Sequence, residues 1–399
     1  MSGESHGDAS QAGLRSLLEH MVKIKASELY LSAGSPPVFR VQDVPYPGRV
    51  ALGATEIGAM ADAMLSSAQR AELAAALELN LVLALGAEQR FCVNVFFQRR
   101  APGMVVRALP VRARTLGELG LPSSLAELAF ERGGLVLIAG ERHSGKSSTL
   151  GALIDHRNGT APGHILTIED PIELLHEPKR CVVTQREIGV DTRSYVDALR
   201  NAPRQAPDLL MVDAIRSADV LESVLALSAA GQLCLSSLHA RSAVHAIERL
   251  LDFVPPARHS ELRARLSSCL CAVIAQRLVA TEGGKRVVVL EVLRSTPLVK
   301  DLLRQGELGA LQQALVPGSD GACTFDDGLA ALVLAERISP ERALAATDDP
   351  RALERRLAEA GRRDASQRSA EPIVLRFAPE LPEGKSPAEG KSPAKPAAR

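Results

Sequence analysis

The chain has 399 residues, 46% apolar and 24% charged, with 47 Lys+Arg against 47 Asp+Glu and a formal net charge of zero. That balance argues against bulk electrostatic capture of nucleic acid, and aromatics at 3% with no Trp leave no base-stacking platform, so no nucleic-acid partner is expected. No run reaches the ~20 apolar residues that span a bilayer, the opening MSGESHGDAS is not a leader, and six cysteines without a C-x-x-C pair read as reduced thiols, so a cytoplasmic protein is expected.

Residues 1–12 read as a flexible N-terminus and residues 13–113 as an α+β domain. Leu14, Leu17, Leu18, Met21 and Val22 recur at helical spacing, and Glu28–Ser32 alternates as a strand. A helical pattern from Ala59 to Leu79 precedes strand-like runs at Leu81–Leu85 and Phe91–Phe96. Pro102-Gly103 suggests the turn of a hairpin that ends in Met104–Leu109. Residues 114–360 alternate buried apolar runs with helical patterns, the mark of an α/β domain with a mainly parallel sheet. Its expected strands are Leu135–Ala139, His164–Ile168, Leu209–Val212, Leu233–Ser236 and Val287–Val292, and a helical pattern runs from Thr324 to about Leu357. Residues 361–399 turn Pro-, Lys- and Ser-rich, with GKSPA at Gly384–Ala388 and again at Gly390–Ala394. That composition buries too little apolar area to offset chain entropy and predicts disorder.

The segment Gly140-Glu141-Arg142-His143-Ser144-Gly145-Lys146-Ser147 fits G-x-x-x-x-G-K-[ST], after the apolar run LVLIA and before the helical pattern STLGALI. Gly140 and Gly145 permit the backbone angles that turn successive N–H groups onto a phosphate, with Ser144 and Ser148 beside them. The following helix adds its N-terminal dipole. Lys146 supplies a charge for the β and γ phosphates, and the Ser147 hydroxyl is placed for Mg²⁺, so ATP and Mg²⁺ are the expected cofactors. The stretch Glu141-Arg142-His143 is unusual, because it sets an anion and two basic groups inside the loop.

Three further segments carry a resemblance: ASELYLSAGSPPVFRV, HILTIEDPIELLHEPKRCVVTQREIG and SSLHARSAVHAIERLLDFVP. From about Lys25 to Leu357 the chain resembles the PilT/PilU family of type IV pilus retraction ATPases, within the secretion-ATPase superfamily. The resemblance implies a PAS-like N-terminal domain, a RecA-like ATPase domain and a hexameric ring, homo- or hetero-oligomeric. It also implies docking on an inner-membrane platform protein of the pilus machine, peripheral to the membrane, and ATP-driven retraction in twitching motility.

Carried over by position, the resemblance makes Glu173, in Ile168-Glu169-Asp170-Pro171-Ile172-Glu173, a catalytic carboxylate. His239 matches the family's His box, while Gln232 replaces a second His. Arg100 and Arg107 match N-domain arginines that reach the phosphates, of the same or of a neighbouring subunit, and Cys92 replaces another. The family's Walker B reads Gly-Glu after an apolar strand, whereas this chain reads Leu209-Leu210-Met211-Val212-Asp213-Ala214. Ala214 stands where the water-orienting Glu is expected, and loss of a general base costs about 10²–10⁴ in rate. Asp213 fits the generic pattern in which an Asp helps hold Mg²⁺. Metal binding is therefore expected to survive while water activation weakens. Lys300-Asp301 replaces Arg-Asn in the retraction-linked motif, and Pro203 is expected to interrupt the helix Tyr195–Gln205. Three readings stay open: a working motor, a non-hydrolysing partner in a hexamer with an active homologue, and a type II/IV secretion ATPase.

Overall fold

The structure, a computed structural model, describes residues 4–42, 44–86, 89–315 and 323–366. Helix α1 (Glu4–Lys23) opens the chain, so the stretch read as a flexible N-terminus is helical from Glu4 onward. Strands β1 (Glu28–Ser32), β2 (Val38–Val41) and β3 (Val44–Pro47) are followed by helices α2 (Ala54–Met64) and α3 (Ser67–Ala76). The single helix expected over Ala59–Leu79 is two helices. Ser66 ends the first pattern by capping the second, accepting from the Gln69 N–H while the Gln69 side chain accepts from the Ser66 N–H.

Strands β4 (Glu78–Leu85), β5 (Gln89–Gln98) and β6 (Ala101–Ala108) complete an antiparallel sheet in the order β3-β2-β1-β6-β5-β4. The β5–β6 turn falls at Arg99-Arg100, both at positive φ (50° and 65°), not at Pro102-Gly103, which lie inside β6. Gly103 is needed there for space, because a Cβ would stand 2.9 Å from the Phe96 ring. Leu18, Met21, Ile57, Phe91 and Met104 fill the core between the helices and this sheet. An antiparallel sheet backed by helices is what the PAS-like expectation requires.

After a short 3₁₀ segment (Ser123–Phe130) the second domain runs β7 (Gly134–Ala139), α4 (Lys146–Thr160), β8 (Gly163–Glu169), β9 (Cys181–Glu187) and α5 (Tyr195–Gln205). It continues with β10 (Leu209–Val212), α6 (Ala218–Ala229), β11 (Leu233–Leu238), α7 (Ala243–Leu251) and α8 (His259–Cys269). The strands β12 (Leu270–Ala280) and β13 (Arg286–Arg294) then form an antiparallel pair. Their sheet runs β13-β12-β7-β11-β10-β8-β9, parallel from β12 to β9. Every residue of β7, β10 and β11 is buried, as a parallel strand covered on both faces demands. One core lies on each face of the sheet.

Pro203 does not interrupt α5. It sits in the last turn, where only the Leu199 carbonyl loses its N–H partner, and the helix runs to Gln205 before a left-handed Ala206. Helices α9 (Pro297–Gln305), α10 (Leu308–Ala314), α11 (Phe325–Leu334), α12 (Pro340–Ala346) and α13 (Pro350–Ser366) close the domain. Residues 361–366 thus belong to α13, and the rest of the tail expected to be disordered, 367–399, lies outside the described residues.

Candidate functional site

Strand β7 delivers the chain into the loop Gly140–Gly145, and α4 begins at once with Lys146. Gly140 is required by space: a Cβ there would stand 2.2 Å from the Ser144 hydroxyl oxygen and 2.8 Å from the Gln276 carbonyl oxygen. Gly145 is required by conformation, at φ +91° as the N-cap of α4. The loop thereby leaves the first N–H groups of a fifteen-residue helix facing a cleft. Lys146 Nζ donates to the carbonyls of Gly140 (2.9 Å) and Glu141 (2.7 Å). Burial depresses its pKa, and the Asp213 charge opposes that shift.

Gln276 on β12 holds the loop from behind. Its side-chain amide donates to the Ser144 carbonyl (2.7 Å), and its oxygen accepts from the Thr149 hydroxyl (2.9 Å), all three residues being buried. We expect Gln276→Leu to cost about 1–3 kcal/mol in denaturant unfolding, because both partners lose a bond in a dry setting. Nucleotide affinity, measured in the same preparation by titration calorimetry, should fall with it.

Three carboxylates face the loop. Glu169, at the end of β8, is buried and pushed up to about 7, first by burial and further by Asp213 and Glu173, although Thr167 and Gln185 donate to it. Asp213, just after β10, is pushed up to about 6 by burial, against the pull of Arg216, which bridges it (3.1 Å) to Asp170 (3.1 Å). It does not cap the next helix; Ser217 caps α6. Glu173 pairs with Arg107 of β6, and Arg90 donates to the Ile172 carbonyl (2.9 Å), so the N-terminal sheet is pinned onto the acidic segment.

The raised pKa of Glu169 makes a signed prediction. Its folded value lies above the ordinary 4.5, so its contribution to stability is fully present below that value and is lost as pH rises through about 7. Asp213 acts in the same direction at lower pH. In magnesium- and nucleotide-free buffer Glu169→Gln should melt above the parent at about pH 8, and the gap should close by about pH 5. An equal gap at both pH values would contradict the assignment.

These walls enclose a cleft of about 520 Å³. Of the residues expected from sequence, Arg107, Ser144, Gly145, Lys146, Ser147, Ser148, Glu173 and Asp213 line it. Gly140 starts the loop, and His239, at the end of β11, meets the Gly140 backbone. Burial lowers the pKa of His239, with Lys146, Arg142 and Arg216 adding to the shift, so its imidazole is neutral at pH 7.

Arg100 is not brought in. It sits in the β5–β6 turn, about 23 Å along the strand from Arg107 at ordinary strand rise, and takes no part in the cleft of its own chain. Gln232 is at the opposite end of β11 from His239, with its carbonyl accepting from Gly134 N. Cys92 lies across the strand pair from Arg107. Sequence reasoning missed Gln276 and His176, the latter a buried cleft residue depressed to about 4 by burial and therefore uncharged. Glu169 stood inside the acidic run but was given no role of its own.

A loop of this form between a buried parallel strand and a helix, with an acid at the end of a strand two places away in the sheet, defines a P-loop nucleotide-binding domain of the RecA-like kind. The sequence model of the family described as type II/IV secretion system protein matches residues 86–300. The type IV pilus ATPase PilU of Pseudomonas aeruginosa is 40% identical over 83% of this chain and 88% of its own length. The type IV pilus retraction ATPase PilT of the same organism is 37% identical over 82% and 96%. The crystal structure of the pilus retraction motor PilT with bound ADP superposes with a TM-score of 0.77 at 32% identity, covering 86% of this chain and 98% of that one. The chain belongs to the type II/IV secretion system protein family and within it is a PilT/PilU-like member.

Proposed function

We propose that this protein is an ATP-binding motor subunit of a type IV pilus machine, of the kind that drives retraction and twitching motility, with hydrolysis weakened at Ala214. One observation carries the reading: an intact phosphate loop and lysine face Glu173 and Asp213 across one cleft, while the position of the family's Walker B glutamate holds a methyl group. Relatives named as a type IV pilus ATPase and a type IV pilus retraction ATPase align over more than four fifths of the chain. Type II secretion system proteins E align over only 37–39% of it and 28–29% of their own length, which favours the pilus reading over a secretion ATPase.

Mg²⁺ fits the donor set. Ser147 and Asp213 both line the cleft, and Asp213 is a desolvated carboxylate of the sort a divalent cation relieves. The ion would neutralise charge on the β and γ phosphates. Lys146 exchanges its two loop carbonyls for phosphate oxygens. Arg107 holds Glu173 in place from the N-terminal domain, and neutral His239 offers a hydrogen bond at the loop's edge. Arg100, in the hairpin turn outside its own cleft, is placed where a neighbouring subunit of a hexamer could meet it.

The substitutions at Ala214 and Cys92 favour a second form of the same reading, a regulatory or structural subunit in a hetero-hexamer with an active homologue. No helix among the described residues is long and apolar enough to cross a membrane. A cytoplasmic place, peripheral at an inner-membrane platform protein, belongs to this proposal.

The test is titration of the full chain with a nonhydrolysable ATP analogue, with and without Mg²⁺, beside a phosphate-release assay. Binding that strengthens with Mg²⁺ and slow turnover are expected. No heat of binding under either condition defeats the reading.

A further inference from the structure

A second cavity, of about 510 Å³, lies on the outer side of the phosphate loop, between the β12–β13 hairpin and α12. Its charged lining is one-sided: Arg142, His143, Arg277, Arg286 and Arg342 against the single acid Glu141. Two of these arginines build the frame. Arg277 donates to the carbonyls of Arg241 (3.0 Å) and Ala346 (3.1 Å), pairs with Asp348 and stacks 4.1 Å over Phe325. Arg342 donates to Ala280 and Thr281 (3.1 and 3.2 Å) and pairs with Glu282 (3.0 Å), which fastens the hairpin to α12.

Within that frame Arg142 stands exposed, and its charge is felt by both Lys146 and His239. His143 is held at φ +60°, a conformation that costs a side-chain-bearing residue about 1–2 kcal/mol, and it borders both cavities. This is the Glu-Arg-His stretch that the phosphate loop itself does not require. Leu278, Val279 and Ala345, on the same strand and helix as Arg277 and Arg342, add apolar surface to the lining. A pocket of this size, lined by basic and apolar side chains together, has the composition that takes a small phosphorylated ligand.

We propose that this cavity is a second binding site, for a small di- or triphosphate anion, beside the cleft that takes the reacting nucleotide, with which it shares His143, Ser144, Leu278 and Arg286. Because residues Glu141–Ser144 wall it, a ligand there touches the loop from outside and biases the cleft within. The inference does not depend on pilus function, but it does rest on the loop reading for the identity of the first site.

Inorganic pyrophosphate is the probe, titrated calorimetrically into the full-length protein saturated with ADP and Mg²⁺. Further binding that weakens with salt is expected, reduced about tenfold or more by Arg142→Ala, which removes a charge-assisted bond at a residue that lines the second cavity and not the first. Lys146→Ala protein should still take up pyrophosphate although its nucleotide binding is weakened about 100-fold. Circular dichroism checks that the variants fold. The proposal is overturned if ADP-loaded protein takes up no pyrophosphate, or if uptake is indifferent to Arg142→Ala. It is equally overturned if uptake occurs only without ADP and vanishes in Lys146→Ala, which would place the anion in the first cleft. If Arg142→Ala changes sedimentation instead and pyrophosphate gives no heat, the cavity takes a second copy of the chain and the anion site is rejected. A failure of ADP to bind would defeat the nucleotide reading alone, since pyrophosphate binding in Lys146→Ala tests the second cavity independently.

Discussion

Replacing Lys146 by Ala should lower affinity for ATP by about 100-fold, because a charge-assisted hydrogen bond to a desolvated anion contributes about 1.5–3 kcal/mol. The ammonium is half-buried and already bonded to the carbonyls of Gly140 and Glu141, so it stands where phosphate oxygens arrive and pays little to reorganise. Thermal unfolding offers a second readout. Wild-type protein at a ligand concentration of about 100 Kd should gain about 2.7 kcal/mol from binding, whereas the variant should melt at nearly the same temperature with and without ligand. If the variant keeps the full ligand-induced shift, the loop is not the binding determinant and the nucleotide must lie elsewhere.

The phosphate loop, the acidic run and the strands that carry them were legible because each is local. Strand β10 spans Leu209–Val212, residue for residue the expected range, since four consecutive apolar residues buried on both faces admit little else. Strand β12 went unseen for the opposite reason. The run Leu270–Ala280 is apolar almost throughout and so fits a buried helix as well as a strand. With it went Gln276, whose partners Ser144 and Thr149 lie more than a hundred residues away in sequence. No spacing rule connects them; only the pairing of β12 with β7 does. The β5–β6 turn was misplaced because Arg99 and Arg100 take left-handed angles without the Gly or Asn that normally announce them, while Pro102 and Gly103 advertised a turn they do not make. That error bears on function, since it leaves Arg100 at the far end of the hairpin from the cleft that Arg107 enters. The family likeness assigned both arginines to phosphates, of the same or of a neighbouring subunit; within one chain Arg107 lines the cleft and Arg100 does not.

Restoring the missing carboxylate, Ala214→Glu, should raise the rate of phosphate release by about 10²–10⁴, with the apparent KM for ATP changed by no more than a few-fold. Position 214 lies at the exit of β10, between Asp213, which faces the cleft, and Ile215, which is buried in the core. The backbone there is fixed on both sides: Asp213 N donates to the Ile168 carbonyl (3.0 Å) and Ile215 N to that of Ser237 (3.1 Å). A longer acid at 214 therefore starts from a defined point, and the half-buried site does not force a core rearrangement. The rival explanation is that Asp213 already serves as the base. A carboxyl pushed up to about 6 is well matched to proton transfer near neutral pH, and Arg216 holds it in one orientation. The two ideas diverge on Asp213→Asn. If Asp213 only holds metal, this variant loses Mg²⁺-dependent affinity along with the small residual turnover, and Ala214→Glu still gives the large gain. If Asp213 is the base, wild-type turnover is already brisk and falls as pH drops through about 6. In that case Asp213→Asn removes it at unchanged nucleotide affinity, and Ala214→Glu adds almost nothing. A brisk wild-type rate with that acid limb would overturn the assignment of weakened hydrolysis, leaving Ala214 as a substitution whose task has moved one residue back along the chain.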